Sequence, residues 1–520
     1  MNLSLSVAEK GGKMKYIIVQ AGGKGTRLKD LTKNKPKALV PVDNLPMIFH
    51  LFRKYPDKHF VIIADYKKEV MREYLEIFAE VKYQVVDTQG TGTCSGIDQA
   101  LQFIPEREPF MLIWSDLILP EQFKLPEEYE SNTDHPIENY IGLSQTFPCR
   151  WKYEDGKFEE KSSEKYGVAG FFLFKDRKSL TDIPKSGELV RWMQEQNMSY
   201  RTLGLAGTRE FGILEEYDKL EKEKCRPFNR ITVKDEILTK EPVDAQGRKL
   251  SLRECAWYEK AKEKEIEILP KIYGTAPLKM EYINGRNIYE YKLPYTQKKD
   301  ILKKLVSSLN RLHDSEIKAA DPFSVKEAYF NKTFERIAKI QDLVPFARDR
   351  EIVVNGRKCR NIFYHKRELE QAVDKLALSC EQFVFIHGDC TFSNMMLREN
   401  GDPVLIDPRG YFGYTEFFGD ARYDWAKMYY SIIGNYDRFN LKDFTLEIKE
   451  SADDGVRLAI ESNHWEDMEQ EFLRLTDANK WEMKLLHAII WLSLTTYAWQ
   501  DFDSVCGAFY NGLYYLEEIL

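Results

Sequence analysis

At 520 residues the chain exceeds one ordinary hydrophobic core, so at least two domains are expected. Its 43% hydrophobic content is that of a folding globular protein and not of a disordered one, and a net charge of -7 without a long basic block gives no electrostatic case for nucleic acid. Eight scattered cysteines without a C-x-x-C pair argue against disulfides or structural zinc; no run reaches the ~20 apolar residues of a membrane span, so the cytoplasm is the expected compartment, with no membrane partner.

In chain order, Lys15–Gln20 (KYIIVQ) is a buried-strand pattern that runs into a glycine-rich loop. Phe60–Ala64, Tyr83–Val86 and Phe110–Trp114 read as further strands, separated by helical patterns at Lys68–Ala79 and Ser95–Phe103. Such alternation predicts a Rossmann-like α/β domain, a mixed but mostly parallel sheet with helices on both faces and ligands at the strands' carboxyl ends. Lys157–Phe174 and Arg201–Ala206 read as later strands and Leu214–Lys222 as a closing helix. The pattern changes near Cys225, which predicts domains at 14–224 and 225–520. In the second domain Ile231–Thr239 reads as a strand, the Gly247 region as a turn and Ser251–Lys262 as a helix. Helices dominate from about Tyr295.

Two segments carry phosphate chemistry. In the first, Gly22, Gly23 and Gly25, with Thr26 beside them, form a loop whose backbone N–H groups can approach phosphate oxygens, or which makes only a tight turn. Arg27 offers a forked cation and Lys37 a point charge from a loop stiffened by Pro36. Asp116 follows the strand ending at Trp114, where a carboxylate can project toward nucleotide and hold Mg²⁺.

In the second, HGDCTFSN meets the needs of phosphoryl transfer from ATP. Asp389 can accept the hydroxyl proton, Asn394 can reach metal from the same loop, and Asp407 can bridge Mg²⁺ and phosphates. His387 reads as a structural histidine of that turn. Tyr411, Tyr423, Tyr430 and neighbouring aromatics serve either as core or as a wall for a quaternary ammonium or a sugar ring.

The segments VQAGGKGTRL, KPKALVPV and WSDLIL resemble, over about residues 14–222, the nucleotidyltransferases that include sugar-1-phosphate pyrophosphorylases and phosphocholine cytidylyltransferases. That resemblance implies attack of a substrate phosphate on the α-phosphorus of a nucleoside triphosphate. It also implies a late second metal acid, here Glu210 where the family has Asp, with an exposed helix-cap acid as the alternative. Gln89 and Gly92 fall where such enzymes read the base or approach substrate, or make only a turn.

HGDCTFSN with IDPRG resembles the aminoglycoside phosphotransferase and choline kinase group, a branch of the protein-kinase-like fold, over about 226–520. This implies an α+β two-lobed domain with a small lobe at about 225–283 and a mostly helical lobe at about 284–520. It further implies that Lys240 binds phosphate, with Lys234 as competitor, that Glu254 is its ion-pair partner, and that Glu281 and Ile283 lie at the adenine hinge. Asp424 is implied to anchor the catalytic loop.

The pairing implies a bifunctional enzyme that phosphorylates a sugar or an amino alcohol such as choline with ATP and then transfers a nucleotidyl group from a second NTP, CTP slightly favoured. The product would feed surface-polysaccharide or capsule decoration. Mg²⁺ is the expected cofactor, small molecules and nucleotides the expected partners, and homo-oligomer formation is left open. A kinase fused to a degenerate nucleotide sensor is the rival expectation.

Overall fold

The computed structural model describes residues 13–88, 90–131, 136–196, 198–220, 229–243 and 245–520. The backbone divides into two compact units, Met1–Glu221 with Gln500–Phe502, and Lys222–Trp499 with Asp503–Leu520. The expected boundary at 224/225 and Gln89 lie outside the described residues.

The first unit is built on a seven-stranded sheet. Its spatial order is Arg201–Gly204, Tyr140–Leu143, Val168–Phe174, Phe110–Trp114, Tyr16–Gln20, His59–Ala64, Lys82–Asp87. Only Val168–Phe174 runs antiparallel to its neighbours; every other adjacent pair is parallel. Central strands of such a sheet are covered on both faces, which is why YIIVQ and FMLIW read as continuous apolar runs rather than alternations. On one face Ile18, Val61 and Leu112 join a core with Ile97, Leu101, Leu189 and Met193. On the other, Phe60 meets Phe52 of helix Met47–Lys54 with ring centroids 4.7 Å apart, and Tyr74 of helix Lys68–Phe78 packs edge-on to Phe49. Each fully buried aliphatic side chain contributes roughly 1.5–3 kcal/mol. Lys157–Phe174 is not one strand: Lys157–Glu159 pairs with Lys152–Glu154 in a hairpin of its own.

In the second unit a four-stranded antiparallel sheet has the order Asn229–Lys234, Ile237–Pro242, Leu278–Glu281, Ile272–Thr275, and is followed by a mainly helical region. Two expectations are corrected here. Ile231–Thr239 is a hairpin and not a single strand, because Asp235 and Glu236 both take positive φ, 52° and 58°, as a two-residue hairpin turn requires. Gly247 lies inside helix Ala245–Lys262 and not in a turn. The helical region also carries a four-stranded sheet, Arg357–Arg360, Glu351–Val354, Val456–Ile460, Phe444–Ile448, which the sequence reading did not find.

Candidate active sites

In the first unit a cavity of about 700 Å³ opens at the carboxyl ends of the central strands, lined by Gly22, Gly23, Arg27, Lys37, Asp116 and Glu210 among others. The loop after Tyr16–Gln20 turns at Gly25, whose φ of 66° is left-handed; a Cβ there would sit 3.1 Å from the Lys37 Cβ and the Thr32 Cγ2. Gly25 and Thr26 therefore shape the turn and stand apart from the cavity lining, while Gly22 and Gly23 reach it and a Cβ on Gly23 would meet nothing within 4 Å. Gln20 Nε2 donates to the carbonyls of Thr93 and Ser95 at 2.8 and 3.2 Å, tying the loop of Gly92, also cavity-lining, to the central strand. Lys24 joins the lining without having been singled out in the sequence.

Asp116 and Glu210 meet because a two-residue ladder pairs Arg209 and Glu210 with Ile118 and Leu117, and the Phe211 amide donates to the Asp116 carbonyl at 3.1 Å. Lys37 Nζ donates to Asp116 Oδ2. Burial pushes Asp116 up, but the Lys37 charge and hydrogen bond, with hydrogen bonds from Glu210 and its own backbone, together hold the carboxyl low. Glu210 goes the other way: burial and then the Asp116 charge push it up to about 7 against Lys37 and Arg27. Asp116 Oδ1 is buried without a hydrogen-bond partner among the described residues. Two adjacent carboxylates, one with an orphaned buried oxygen, make a hard-oxygen donor set that fits Mg²⁺. Trp114 closes one side: Gly170, at φ 76°, sits where the register of its strand shifts, and a Cβ there would lie 2.1 Å from the indole.

The second unit holds a cavity of about 440 Å³ lined by Lys240, Glu254, Asp389, Asn394 and Asp407 with the inner face of the Asn229–Pro242 hairpin. Lys240 Nζ donates to Glu254 Oε2 at 2.8 Å and to Asp407 Oδ1. Lys234, the competitor, is exposed on the hairpin. Helix Ala245–Lys262 is fixed by Trp257, one turn beyond Glu254, whose indole N–H donates to the Ile386 carbonyl at 2.8 Å and whose ring stacks on Phe385. Burial pushes Glu254 up to about 7 against Lys240; in Asp407 burial also pushes up, but the Lys240 charge and hydrogen bond together with Arg409 hold the carboxyl low.

Asp389 sits on a loop pinned from behind. Fully buried Asp424 accepts the amides of His387 and Gly388 at 2.9 and 2.7 Å and contacts His313 Nε2 at 3.0 Å. His387 is buried too, its ring pushed below the usual imidazole range by burial, and its Nδ1 accepts the Asp389 amide at 3.3 Å. Asn394 Nδ2 donates to the Asp389 carbonyl at 2.9 Å, and the Ile406 amide donates to the Asn394 carbonyl at 2.9 Å, joining this loop to the one that carries Asp407. The Asn394 amide group and the Asp407 carboxylate are again oxygen donors suited to Mg²⁺.

The segment expected at the adenine hinge borders this cavity through Met280. The Glu281 carboxylate accepts from Arg398, Ile283 is buried, and Gly285 also lines the cavity. The sequence reading also passed over the cations beside Asp389: Arg409 Nε and Lys427 Nζ each stand 3.1 Å from its carboxylate oxygens. Lys427 follows Asp424 by one helical turn, a spacing that places both against the same loop.

Residues 16–136 match the family model "Nucleotidyl transferase" and residues 252–443 the "Phosphotransferase enzyme family". The D-glycero-alpha-D-manno-heptose 1-phosphate guanylyltransferase of Campylobacter jejuni is 32% identical over 101 residues, which are 18% of this chain and 45% of that protein. The bifunctional protein GlmU of Methanococcus maripaludis is 29% identical over 130 residues, 24% of this chain and 31% of its own length. The chain thus spans less than half the length of either curated relative. The solved inositol-1-phosphate CTP transferase from T. maritima, 16% identical, covers 40% of this chain and 92% of its own, with a TM-score of 0.33. Each of the two family matches covers less than half of the chain, the first lying in the first unit and the second in the second.

Proposed function

We propose that the chain carries out two transfers in sequence. In the second unit, Asp389 takes the proton of an acceptor hydroxyl as its oxygen bonds to the γ-phosphorus of ATP and the bond to ADP breaks. Lys240, positioned by Glu254, binds the phosphates, and Asn394 with Asp407 would hold Mg²⁺. In the first unit, an oxygen of the new phosphate ester attacks the α-phosphorus of a second triphosphate, and pyrophosphate leaves. The Gly22–Gly23 backbone with Lys24, Arg27 and Lys37 orients the polyphosphate, and Asp116 with Glu210 would hold Mg²⁺. The cation's contribution at each site is to neutralise charge gathering on the phosphoryl oxygens.

The observation that carries this reading is the repetition of one device, a lysine set against acids at the mouth of a cavity, in two units whose family matches are each to phosphate-transferring enzymes. Relatives named for guanylyl transfer give CTP no priority, so the base is read from a screen of CTP, GTP, UTP and dTTP. We extend the proposal to a cytoplasmic enzyme whose product serves surface-polysaccharide decoration, on the pairing of the two families.

Asp389→Asn is expected to lower ATP-dependent phosphorylation by about 10³-fold or more and to leave pyrophosphate release from NTP and supplied phosphate ester unchanged; Asp116→Asn is expected to do the reverse. Loss of both activities in either folded variant would refute independent sites. Absence of pyrophosphate release with all four triphosphates would favour the nucleotide-sensor alternative for the first unit.

A further inference from the structure

Beside the nucleotide cavity of the second unit lies a smaller chamber of about 40 Å³, and Arg409, Tyr411, Tyr436 and Tyr497 line both. Its walls also present Lys332 and Arg336, one helical turn apart on helix Lys332–Lys339, and Lys427. Four cations therefore face one small space. Asp389 lines the neighbouring nucleotide cavity and stands 3.1 Å from Arg409 and from Lys427. The acid that acts on Lys332, Glu327, accepts the Tyr414 hydroxyl at 2.9 Å and does not line the chamber.

Arg336 is fastened by its Nη1 to the Ser493 carbonyl and hydroxyl at 2.5 and 3.1 Å. Lys332 makes no hydrogen bond or ion pair among the described residues, and burial together with Arg336, Lys427 and Arg409 pushes its ammonium down to about 7. No acid lines the chamber among the described residues, and a bound anion would restore to Lys332 the charge that burial and its neighbours withdraw.

Four of the six tyrosines that line the chamber are already engaged by the protein's own cations. Lys427 lies over the rings of Tyr423 and Tyr430 at 5.7 and 5.8 Å, Arg409 and Arg336 over Tyr497 at 4.7 and 5.8 Å, and Arg253 over Tyr411 at 5.0 Å. Cation–π attraction here serves the protein's own charges, and a further cation would enter against four like charges.

We propose that this chamber seats the acceptor of the phosphoryl transfer, and that the acceptor is a small alcohol carrying a carboxylate or a phosphate group. The proposal rests on the kinase reading above and deepens it. The anionic group meets Lys332 and Arg336 while the hydroxyl lies toward Asp389; the hydroxyl oxygen bonds to the γ-phosphorus, its proton passes to Asp389, and ADP leaves with the broken bridging bond. The anionic group is unchanged, so the product carries one phosphate more than the acceptor. The chamber's volume is that of about three water-sized groups, so it takes only the acceptor's anionic end, and the hydroxyl end lies in the adjoining cavity that Asp389 lines.

The test is calorimetric titration of the full chain, preloaded with Mg²⁺ and a non-hydrolysable ATP analogue, with four three-carbon or similar probes: glycerate, glycerol 3-phosphate, glycerol and choline. Glycerate or glycerol 3-phosphate is expected to bind at least about tenfold more tightly than glycerol and choline, and the stronger of the two identifies carboxylate or phosphate. Lys332→Gln and Arg336→Gln are each expected to weaken that anion by about tenfold or more while the analogue's affinity stays within twofold, and Lys332→Arg to retain the preference. Should Arg336→Gln fail to fold, Lys332→Gln, which breaks no hydrogen bond, still decides. Choline or glycerol binding as well as both anions, neither anion binding, or anion binding indifferent to Lys332→Gln would overturn the inference. So would an equal loss of ATP-analogue affinity, which would assign these cations to the γ-phosphate. Failure of the kinase reading itself is read separately, as ADP production indifferent to Asp389→Asn.

Discussion

His487 shows how one side chain sets the conditions under which the acceptor chamber can exist. It is fully buried on helix Lys480–Leu494, whose Ile489, Ile490 and Ser493 line the chamber, and its Nε2 accepts the Trp491 indole N–H at 2.8 Å. Burial, aided by Lys484, pushes its ring down to about 3. A charged imidazole here would stand behind a wall that already presents four cations. The linkage has a definite sign: the unfolded chain takes up a proton below about 6.5 and the folded one does not, so stability is full above 6.5 and is lost as pH falls toward 3, at about 1.4 kcal/mol per pH unit. His487→Gln keeps an acceptor without a titrating group. The wild type is expected to lose about 2 kcal/mol more than this variant between pH 7 and pH 5 in urea unfolding followed by tryptophan fluorescence; parallel pH profiles would show that His487 is not the group responsible.

Among the elements, helix Ala421–Ile432 does the most to place the phosphoryl-transfer site, since Asp424 pins the His387–Gly388 turn and Lys427 meets Asp389 one turn later. Asp424→Ala would leave two buried amides and His313 without their acceptor. It is expected to cost roughly 3 kcal/mol and to abolish phosphorylation while pyrophosphate release persists, whereas Asp424→Asn, which retains one carbonyl acceptor, is expected to keep part of both losses back. Equal stability of Asp424→Ala and wild type in urea would remove the anchoring role. The legibility of these elements in the sequence followed their physics. Asp389 and Asn394 lie five residues apart on one loop, and Asp407 ends an apolar strand, so local spacing carried them. KYIIVQ was legible because a doubly covered strand is apolar throughout. The hairpin over 229–242 was not, because its turn is Asp235-Glu236, which lacks the glycine or asparagine that normally marks positive φ. The hairpin Glu351–Val354 with Arg357–Arg360 did carry that mark, Asn355-Gly356 at φ 50° and 79°, and went unread between charged residues. Lys332, Arg336, Arg409 and Lys427 were beyond sequence reasoning, since three separate segments must fold together before their charges share a space.

At the scale of the whole molecule, each cavity is lined solely by residues of its own unit: Gln20 to Glu210 in the first, and Asn229 to Tyr497 in the second. Joining two such sites in one chain raises the local concentration of the intermediate only until it diffuses away, and a small phosphate ester crosses molecular dimensions far faster than the 1–10³ s⁻¹ typical of turnover. The phosphate ester made by the second unit is therefore expected to mix with bulk before the first unit uses it. With γ-labelled ATP, acceptor and NTP, adding unlabelled phosphate ester should dilute the label in the NDP-activated product in direct proportion to its share of the pool. A mixture of Asp389→Asn and Asp116→Asn chains should reach the same steady rate as wild type at equal concentrations of intact sites, after a lag that shortens as enzyme concentration rises. Label that resists dilution, or a mixture that stays slower than wild type once the lag has passed, would mean that the ester is handed from one site to the other without leaving the protein.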